Sequence, residues 1–403
     1  MTHCALEYQH VDILFTRAPG ARGKRAMRQA VEALDAGRTR AQIAEDFGVV
    51  LGVADANLRV DSGQICVLMG LSGSGKSTLL RAANGLNAVT RGRVLVHDGA
   101  GQADVAQCTP ANLRRLRRER IAMVFQQFGL LPWRTVRDNV GFGLELRGES
   151  ATQRARIVDE KLELVGLSQW AGRYVSELSG GMQQRVGLAR AFATDADILL
   201  MDEPFSSLDP LIRTKLQDEL LALQARVRKT ILFVSHDLDE ALRLGNQISI
   251  LEGGRILQTG SLRDIVLRPA HARVAEFVQH MNPLHVLRGD MIMRRREELQ
   301  AHGDGSALRL DADGRRVIYL DSAGRPTELR HDGQPVQVSS ADHGESSEAQ
   351  GGIYETPGGT HLQRIVELCA RSGHPVLLLE DGALCGICGE HEITRALAGS
   401  AGS

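Results

Sequence analysis

The chain has 403 residues, so two or three domains of ~100–200 residues each are expected. With 43% hydrophobic and 24% charged residues it has the balance of a soluble globular protein, and a net charge of -1 supplies no overall field for nucleic acid or an anionic membrane. No apolar run approaches the ~18–20 residues that cross a bilayer, and Met1-Thr2-His3-Cys4 does not open a secretory leader. A cytosolic protein is therefore expected, with any spanning helices supplied by another subunit.

Residues 8–15 read as a strand, closed by a Pro-Gly turn. Two short helices follow over 24–48, with Gly37 at the C-terminal cap of the first and Thr39 as the N-cap of the second. Flanked by arginines, this pair resembles a helix-turn-helix, which raises DNA reading as a rival function. It runs straight into the next strands, however, so a hairpin decorating a larger domain is the preferred reading.

The apolar run Ile65-Cys66-Val67-Leu68-Met69 reads as a buried strand, and Thr78-Leu79-Leu80-Arg81-Ala82-Ala83 as the start of a helix. Between them, Gly70-Leu71-Ser72-Gly73-Ser74-Gly75-Lys76-Ser77 fits G-x-x-x-x-G-K-[ST] at every fixed position. Glycines let such a loop turn its backbone N–H groups toward phosphate oxygens, and the helix N-terminus favours negative charge. Lys76 can reach the β- and γ-phosphates, and the Ser77 hydroxyl can hold Mg²⁺.

Further short β-rich runs lie at 94–96, 121–125, 198–201, 230–234 and 248–251, separated by helical patterns. That alternation implies an α/β fold with a mainly parallel sheet covered on both faces. Residues 147–179 are helical without strands, which suggests an inserted helical subdomain at about 127–180. The basic run Arg114-Arg115-Leu116-Arg117-Arg118 reads as the solvated face of a helix rather than a nucleic-acid patch.

Five more motifs carry chemistry. Ile198-Leu199-Leu200-Met201-Asp202-Glu203 is a buried strand that delivers Asp202 to a Mg²⁺ shell and Glu203 to the γ-phosphate side. Leu178-Ser179-Gly180-Gly181-Met182 opens a helix, so Ser179, Gly180 and Gly181 form a second phosphate-binding surface. His236 in Ser235-His236-Asp237 can donate to a phosphate oxygen, and Asp209 follows the acidic pair in Ser206-Ser207-Leu208-Asp209. Gln126 ends the strand before it and can touch Mg²⁺ or the attacking water.

Over about residues 52–280 these motifs resemble the phosphate-loop ATPase subunits of ATP-binding-cassette transporters, with Ser179-Gly180-Gly181 the most specific element. Met182 departs from that family, which often has Gln there. The resemblance implies ATP and Mg²⁺ as cofactors, with Gly70, Ser72, Gly73, Ser74, Gly75, Lys76, Ser77 and Thr78 around the phosphates. Ser77, Gln126 and Asp202 would hold the metal; Glu203, His236 and Gln126 would be catalytic. It implies a sandwich of two copies, each signature completing the other's loop and Asp209 reaching the shared nucleotide. It also implies a membrane permease and, indirectly, a periplasmic or extracellular substrate-binding protein, with no nucleic acid. The subunit would sit peripherally on the cytoplasmic face of the inner membrane.

Met69-Gly70-Leu71-Ser72-Gly73-Ser74-Gly75-Lys76-Ser77-Thr78, Gly181-Met182-Gln183-Gln184-Arg185, Ser207-Leu208-Asp209-Pro210 and Ser235-His236-Asp237-Leu238 look like the quaternary-amine importers. So do the early hairpin and Leu51-Gly52-Val53-Ala54-Asp55. Pro132-Trp133-Arg134-Thr135-Val136 leans toward choline, ahead of glycine betaine and proline betaine. The hairpin moves the adenine-stacking aromatic away from the loop, leaving Phe15 as first candidate and Tyr8 as second. A soluble cassette ATPase in a non-transport role and a DNA-binding regulator using 24–48 remain the alternatives.

After Pro283 the composition turns polar, with a linker-like stretch at 339–352. Order returns at Thr360 with a helix at 361–371, strands at 376–379 and 384–388 joined by an Asp381-Gly382 turn, and a helix at 390–397. This end resembles a cystathionine-β-synthase-type repeat, with 283–359 as a degraded first copy. The expected division is 1–51, 52–282, 283–359 and 360–403. The six cysteines form no disulfide framework; Cys385 and Cys388 have metal-type spacing, with His374 and His391 nearest, but a plain strand is preferred.

Overall fold

The computed structural model describes the chain apart from residues 1–3, 98, 100, 207, 280–283, 285–286, 303–306, 312, 341–351 and 402–403. It divides into two compact units, Met1–Ile265 and Val266–Ser403. The sequence-based boundary at 282/283 therefore moves back, since the helix at Ala272–Gln279 packs within the second unit.

The first unit opens with β1 (Cys4–Thr16). Helices α1 (Gly20–Asp35) and α2 (Arg40–Phe47) follow, and then β2 (Val49–Asp61). The caps sit where the sequence put them. Gly37 follows the C-cap with φ 79, and Thr39 forms a capping box with Gln42. β1 pairs antiparallel with β2, so the proposed boundary at 51/52 falls inside a paired strand and 1–51 is no separate attachment. The two helices bury Ala30, Ala33, Leu34 and Ile43 against Leu14, Val49, Leu51 and Ala54 of those strands. The second helix packs on that sheet through Ile43, with Ala41, Gln42, Ala44, Glu45 and Asp46 exposed.

Next come β3 (Ile65–Met69), α3 (Lys76–Ala82), β4 (Arg91–His97), β5 (Gln102–Asp104), α4 (Pro110–Glu119) and β6 (Ile121–Val124). In α4, Leu116 is buried while Arg114, Arg115, Arg117 and Arg118 are exposed. The helical subdomain holds α5 (Val136–Arg147) and α6 (Ala151–Leu164), and α7 (Gly180–Ala193) packs against both. The chain returns through β7 (Ile198–Asp202), α8 (Pro210–Val227), β8 (Thr230–Val234), α9 (Leu238–Leu244), β9 (Gln247–Glu252) and β10 (Arg255–Gly260). Helix α10 (Leu262–Leu267) spans the division.

Two sheets result. The first has the order β10-β9-β3-β8-β7-β6, parallel except for β10. Strands β3, β7 and β8 are buried at every residue, which is why each reads as an unbroken apolar run. The second sheet, β2-β1-β4-β5, is antiparallel and was not expected. Its central pairing bridges residues 17–48, a long-range contact that local patterning does not encode.

The second unit starts with α11 (Ala272–Gln279), α12 (Gly289–Ile292) and β11 (Arg294–Arg295). A five-stranded antiparallel meander follows: β12 (Gln300–His302), β13 (Ala307–Arg309), β14 (Arg316–Leu320), β15 (Pro326–His331) and β16 (Gln334–Val336). Then come β17 (Val338–Ser340), β18 (Ile353–Pro357), α13 (Leu362–Ser372), β19 (Val376–Glu380), β20 (Ala383–Cys388) and α14 (Glu390–Ala401). These strands form the sheet β11-β20-β19-β18-β17.

In that sheet α13 connects parallel strands β18 and β19. The meander instead uses tight turns, so 283–359 does not repeat the element order of 353–401. Asp332-Gly333 and Asp381-Gly382 each join two strands with positive φ at both residues, the requirement of a type I′ hairpin. Of the linker expected at 339–352, Ser339 and Ser340 lie in β17, and 341–351 fall outside the described residues. Cys385 and Cys388 both lie in β20, where Cys385 is the extra residue of a bulge between the Leu378–Gly386 and Leu379–Leu384 pairs. Burial pushes both thiols up in pKa, and no cluster of three or more potential metal ligands occurs among the described residues.

Asn139 in α5 is wholly buried and holds the segment after β6 in place. Its Nδ2 donates to the carbonyls of Leu131 and Thr135, and its Oδ1 accepts from Leu131 N–H at 2.8 Å. Asn139→Ala leaves the Leu131 N–H without its partner, while both carbonyls keep a backbone donor, and is expected to cost about 1–3 kcal/mol. A lowered denaturant midpoint with an unchanged m-value checks this.

Candidate functional site

The phosphate-loop motif forms the turn between β3 and α3. Gly75 has φ 104, and a Cβ there would come 2.5 Å from the Gly52 carbonyl oxygen, so glycine alone fits. Gly70 has φ 138, with a Cβ position 2.0 Å from the Leu251 carbonyl oxygen. These two glycines bring the loop down onto its neighbours and set its curvature.

Lys76 is 6% exposed and its Nζ donates to the carbonyls of Gly70 at 2.8 Å and Leu71 at 3.0 Å. Burial lowers its pKa, while the Glu203 and Asp202 carboxylates oppose that shift. An ammonium has three donors, so one remains for a phosphate.

Asp202, at the end of β7, has no solvent exposure. Its Oδ1 accepts from the Ser77 hydroxyl at 2.7 Å, and its Oδ2 accepts from Arg81 Nε at 3.1 Å and Nη2 at 2.8 Å. Arg81 escaped the sequence reading as a site residue. The signal was there: it lies one helical turn beyond Ser77, on the same face of α3.

Glu203 is a non-glycine residue at φ 48, a left-handed conformation that carries strain and clusters at working sites. Its N–H donates to the Val234 carbonyl at 3.1 Å, and its own carbonyl accepts from Gln184 Nε2 at 3.2 Å. The turn brings its carboxylate to the two residues named with it: Gln126 Nε2 donates to Oε2 at 3.2 Å, and His236 Nδ1 lies 3.3 Å from the same oxygen. The preceding residue, Ser235, donates from Oγ to the buried Glu240 at 2.5 Å.

Lys76, Ser77, Gln126, Glu203 and His236 border one cleft of about 470 Å³, and the buried Asp202 lies behind Ser77 without lining it. Its walls include Ser72, Gly73, Gly75, Lys76, Ser77, Thr78, Gln126, Glu203 and His236. Gly70 and Ser74 lie beneath, shaping the loop; both are buried, and the Ser74 hydroxyl has no hydrogen-bond partner. Phe15 joins the wall at 40% exposure, with Val50, its cross-strand neighbour, beside it. Gly52 lets the ring lie close: a Cβ there would be 2.8 Å from Phe15 Cε2. Tyr8, the second aromatic candidate, is 1% exposed and donates to the Leu79 carbonyl at 3.1 Å, so it belongs to the core and cannot stack on a base.

Two expected contributors lie elsewhere. Asp209 is the N-cap of α8, its carboxylate accepting from Ile212 N–H at 3.0 Å, and it does not line the cleft. Ser179 caps α7 by accepting from Met182 N–H at 3.4 Å; with Gly180 it is exposed, and neither they nor Gly181 border the cleft. Helix α7 therefore presents its N-terminal groups to solvent rather than to the loop of its own chain. Arg40, from the first turn of α2, does line the cleft and was not foreseen.

A model of the ABC transporter family matches residues 53–206. The chain is 48% identical over 290 residues to the glycine betaine/proline betaine transport system ATP-binding protein ProV of Escherichia coli, covering 71% of this chain and 72% of that protein. It is 39% identical over 385 residues to the glycine betaine/carnitine transport ATP-binding protein GbuA of Listeria monocytogenes, covering 94% and 95%. Among solved structures, a dimeric ATP-binding cassette in a post-hydrolysis state bound to ADP and Pi matches 64% of this chain and 98% of its own, at 27% identity and TM-score 0.53. Among the described residues no helix is long and apolar enough to cross a membrane. The chain belongs to the ABC transporter family, as a subunit that binds ATP and hydrolyses it to drive transport.

Proposed function

We propose that this subunit powers import of a quaternary amine, glycine betaine or proline betaine first, through a separate membrane permease. The observation that carries the reading is the match to a glycine betaine/carnitine transport protein over 94% of this chain, which takes in the second unit as well as the cassette. The names of the similar relatives put the betaines ahead of choline, which the sequence alone had ranked first. The subunit would bind the permease peripherally at the cytoplasmic face, with a substrate-binding protein delivering the amine from outside.

Hydrolysis follows from the cleft. The loop N–H groups and Lys76 hold the phosphates, and Phe15 stacks on adenine. Glu203 takes a proton from the attacking water as its oxygen bonds to the γ-phosphorus. The bond to the bridging oxygen breaks, and its electron pair leaves on ADP. Gln126 and His236 fix the Glu203 carboxylate, and His236 donates to the γ-phosphate. Ser77, Asp202 and Gln126 offer oxygen donors only, a set that fits Mg²⁺, which when bound would neutralise charge on the β- and γ-phosphates. The exposed Ser179-Gly180-Gly181 surface would complete the site of a second copy, with Asp209 at the same junction. The match over 94% of the chain to a transport ATP-binding protein favours transport over the DNA-reading alternative.

The test is uptake of labelled glycine betaine by vesicles holding the subunit with its permease. Wild type should accumulate betaine with ATP, and unlabelled choline should compete more weakly than proline betaine. Glu203→Gln should keep ATP binding and lose turnover and uptake by about 10²-fold or more, the scale of lost general-base action. ATP hydrolysis at the wild-type rate in that variant would remove Glu203 from its role. Stronger competition by choline than by either betaine would reverse the substrate order.

A further inference from the structure

We propose that Arg40 is a nucleotide-binding residue that contacts the polyphosphate of ATP from the helical hairpin. The proposal rests on the cleft being the ATP site. It goes further in assigning a role to a segment that the phosphate-loop motifs do not include.

Antiparallel neighbours such as β1 and β2 can be joined by a two-residue turn. Here residues 17–48 are interposed, and they build their own small core on the strands. The hairpin is also pinned by charge. Arg91 of β4 donates from Nη1 to Asp35 at the end of α1 at 2.8 Å and from Nε to the buried Asp12 of β1 at 2.5 Å. The Arg91 hydrogen bond holds the Asp35 carboxyl below its usual pKa. Arg38 and Asp46 pair across α2. A helix so fixed gives its first side chain a fixed place.

That side chain is Arg40. Its Nη1 donates to the Gly73 carbonyl at 2.8 Å, at the tip of the phosphate loop, and the residue forms part of the cleft wall. A carbonyl oxygen beside a phosphate site repels the anion. Arg40 offsets that oxygen with one N–H and keeps four further donors in a planar fork suited to phosphate. With Lys76 it makes a second cation in the same cleft.

The experiment measures binding of ATP and of adenosine to the purified full chain by titration calorimetry, for wild type, Arg40→Ala and Arg40→Lys, alongside steady-state hydrolysis. Arg40 is half-buried outside the core, so both variants should melt with wild type. Arg40→Ala should weaken ATP about tenfold, the scale of one charge-assisted contact, and leave adenosine unchanged. KM for ATP should rise with kcat within about twofold, as for uniform binding. Arg40→Lys should recover most of the ATP affinity. Equal ATP affinity in wild type and Arg40→Ala, or equal weakening of ATP and adenosine, would overturn the proposal. Failure of wild type to bind ATP at all would instead overturn the reading of the cleft on which it rests.

Discussion

The structure depends on one buried carboxylate. Asp202 sits at the end of a strand with no exposure to water, and a charge there is stable only with partners. Ser77 and Arg81 supply them, both from the helix that the phosphate loop opens. The acidic strand and the phosphate loop are therefore locked to one another before any ligand arrives. The next residue, Glu203, can then turn sharply into the cleft, because its neighbour on one side is immobile. Its N–H on the adjacent strand and its carbonyl on Gln184 fix it on the other. The strain of its left-handed backbone is held by those contacts.

The same arrangement leaves the cleft one-sided. The phosphate loop, Ser77, Gln126, Glu203 and His236 line a single cleft, while Ser179 and Gly180 at the head of α7 do not border it. The signature serine caps the helix and its glycines are open to a neighbour. The hairpin adds a further element, bringing Arg40 to the loop tip and leaving the exposed Phe15 at the strand end that precedes it. Energy from ATP can be coupled to movement only if closing the site moves something, and an open wall facing a second copy supplies that possibility.

Much of this was legible because the cassette's motifs are local. The buried strands β3, β7 and β8 each read as an apolar run because parallel strands are covered on both faces. Asp202, Glu203, Gln126 and His236 stand at or just past strand ends and Ser77 in the first turn of α3, where a motif of a few residues is enough. Asp381-Gly382 announces its hairpin because the turn type demands those residues. What stayed hidden was long-range. The β1–β2 pairing closes across residues 17–48, Arg40 meets Gly73 across 33 positions, and the meander at 300–336 has strands too short to carry a periodic signal. Tyr8 and Phe15 lie seven apart on one strand, and only packing shows that the first is core and the second is wall.

The central claim is that each ATP is hydrolysed between two copies, and mixing two variants tests it most directly. Lys76→Ala disables the loop and keeps the signature, while Ser179→Arg disables the signature and keeps the loop. Each should be inactive alone. Mixed, they should regain ATP turnover, because one site of the mixed pair joins an intact loop to an intact signature. A mixture that associates and yet remains as inactive as its components would contradict the account.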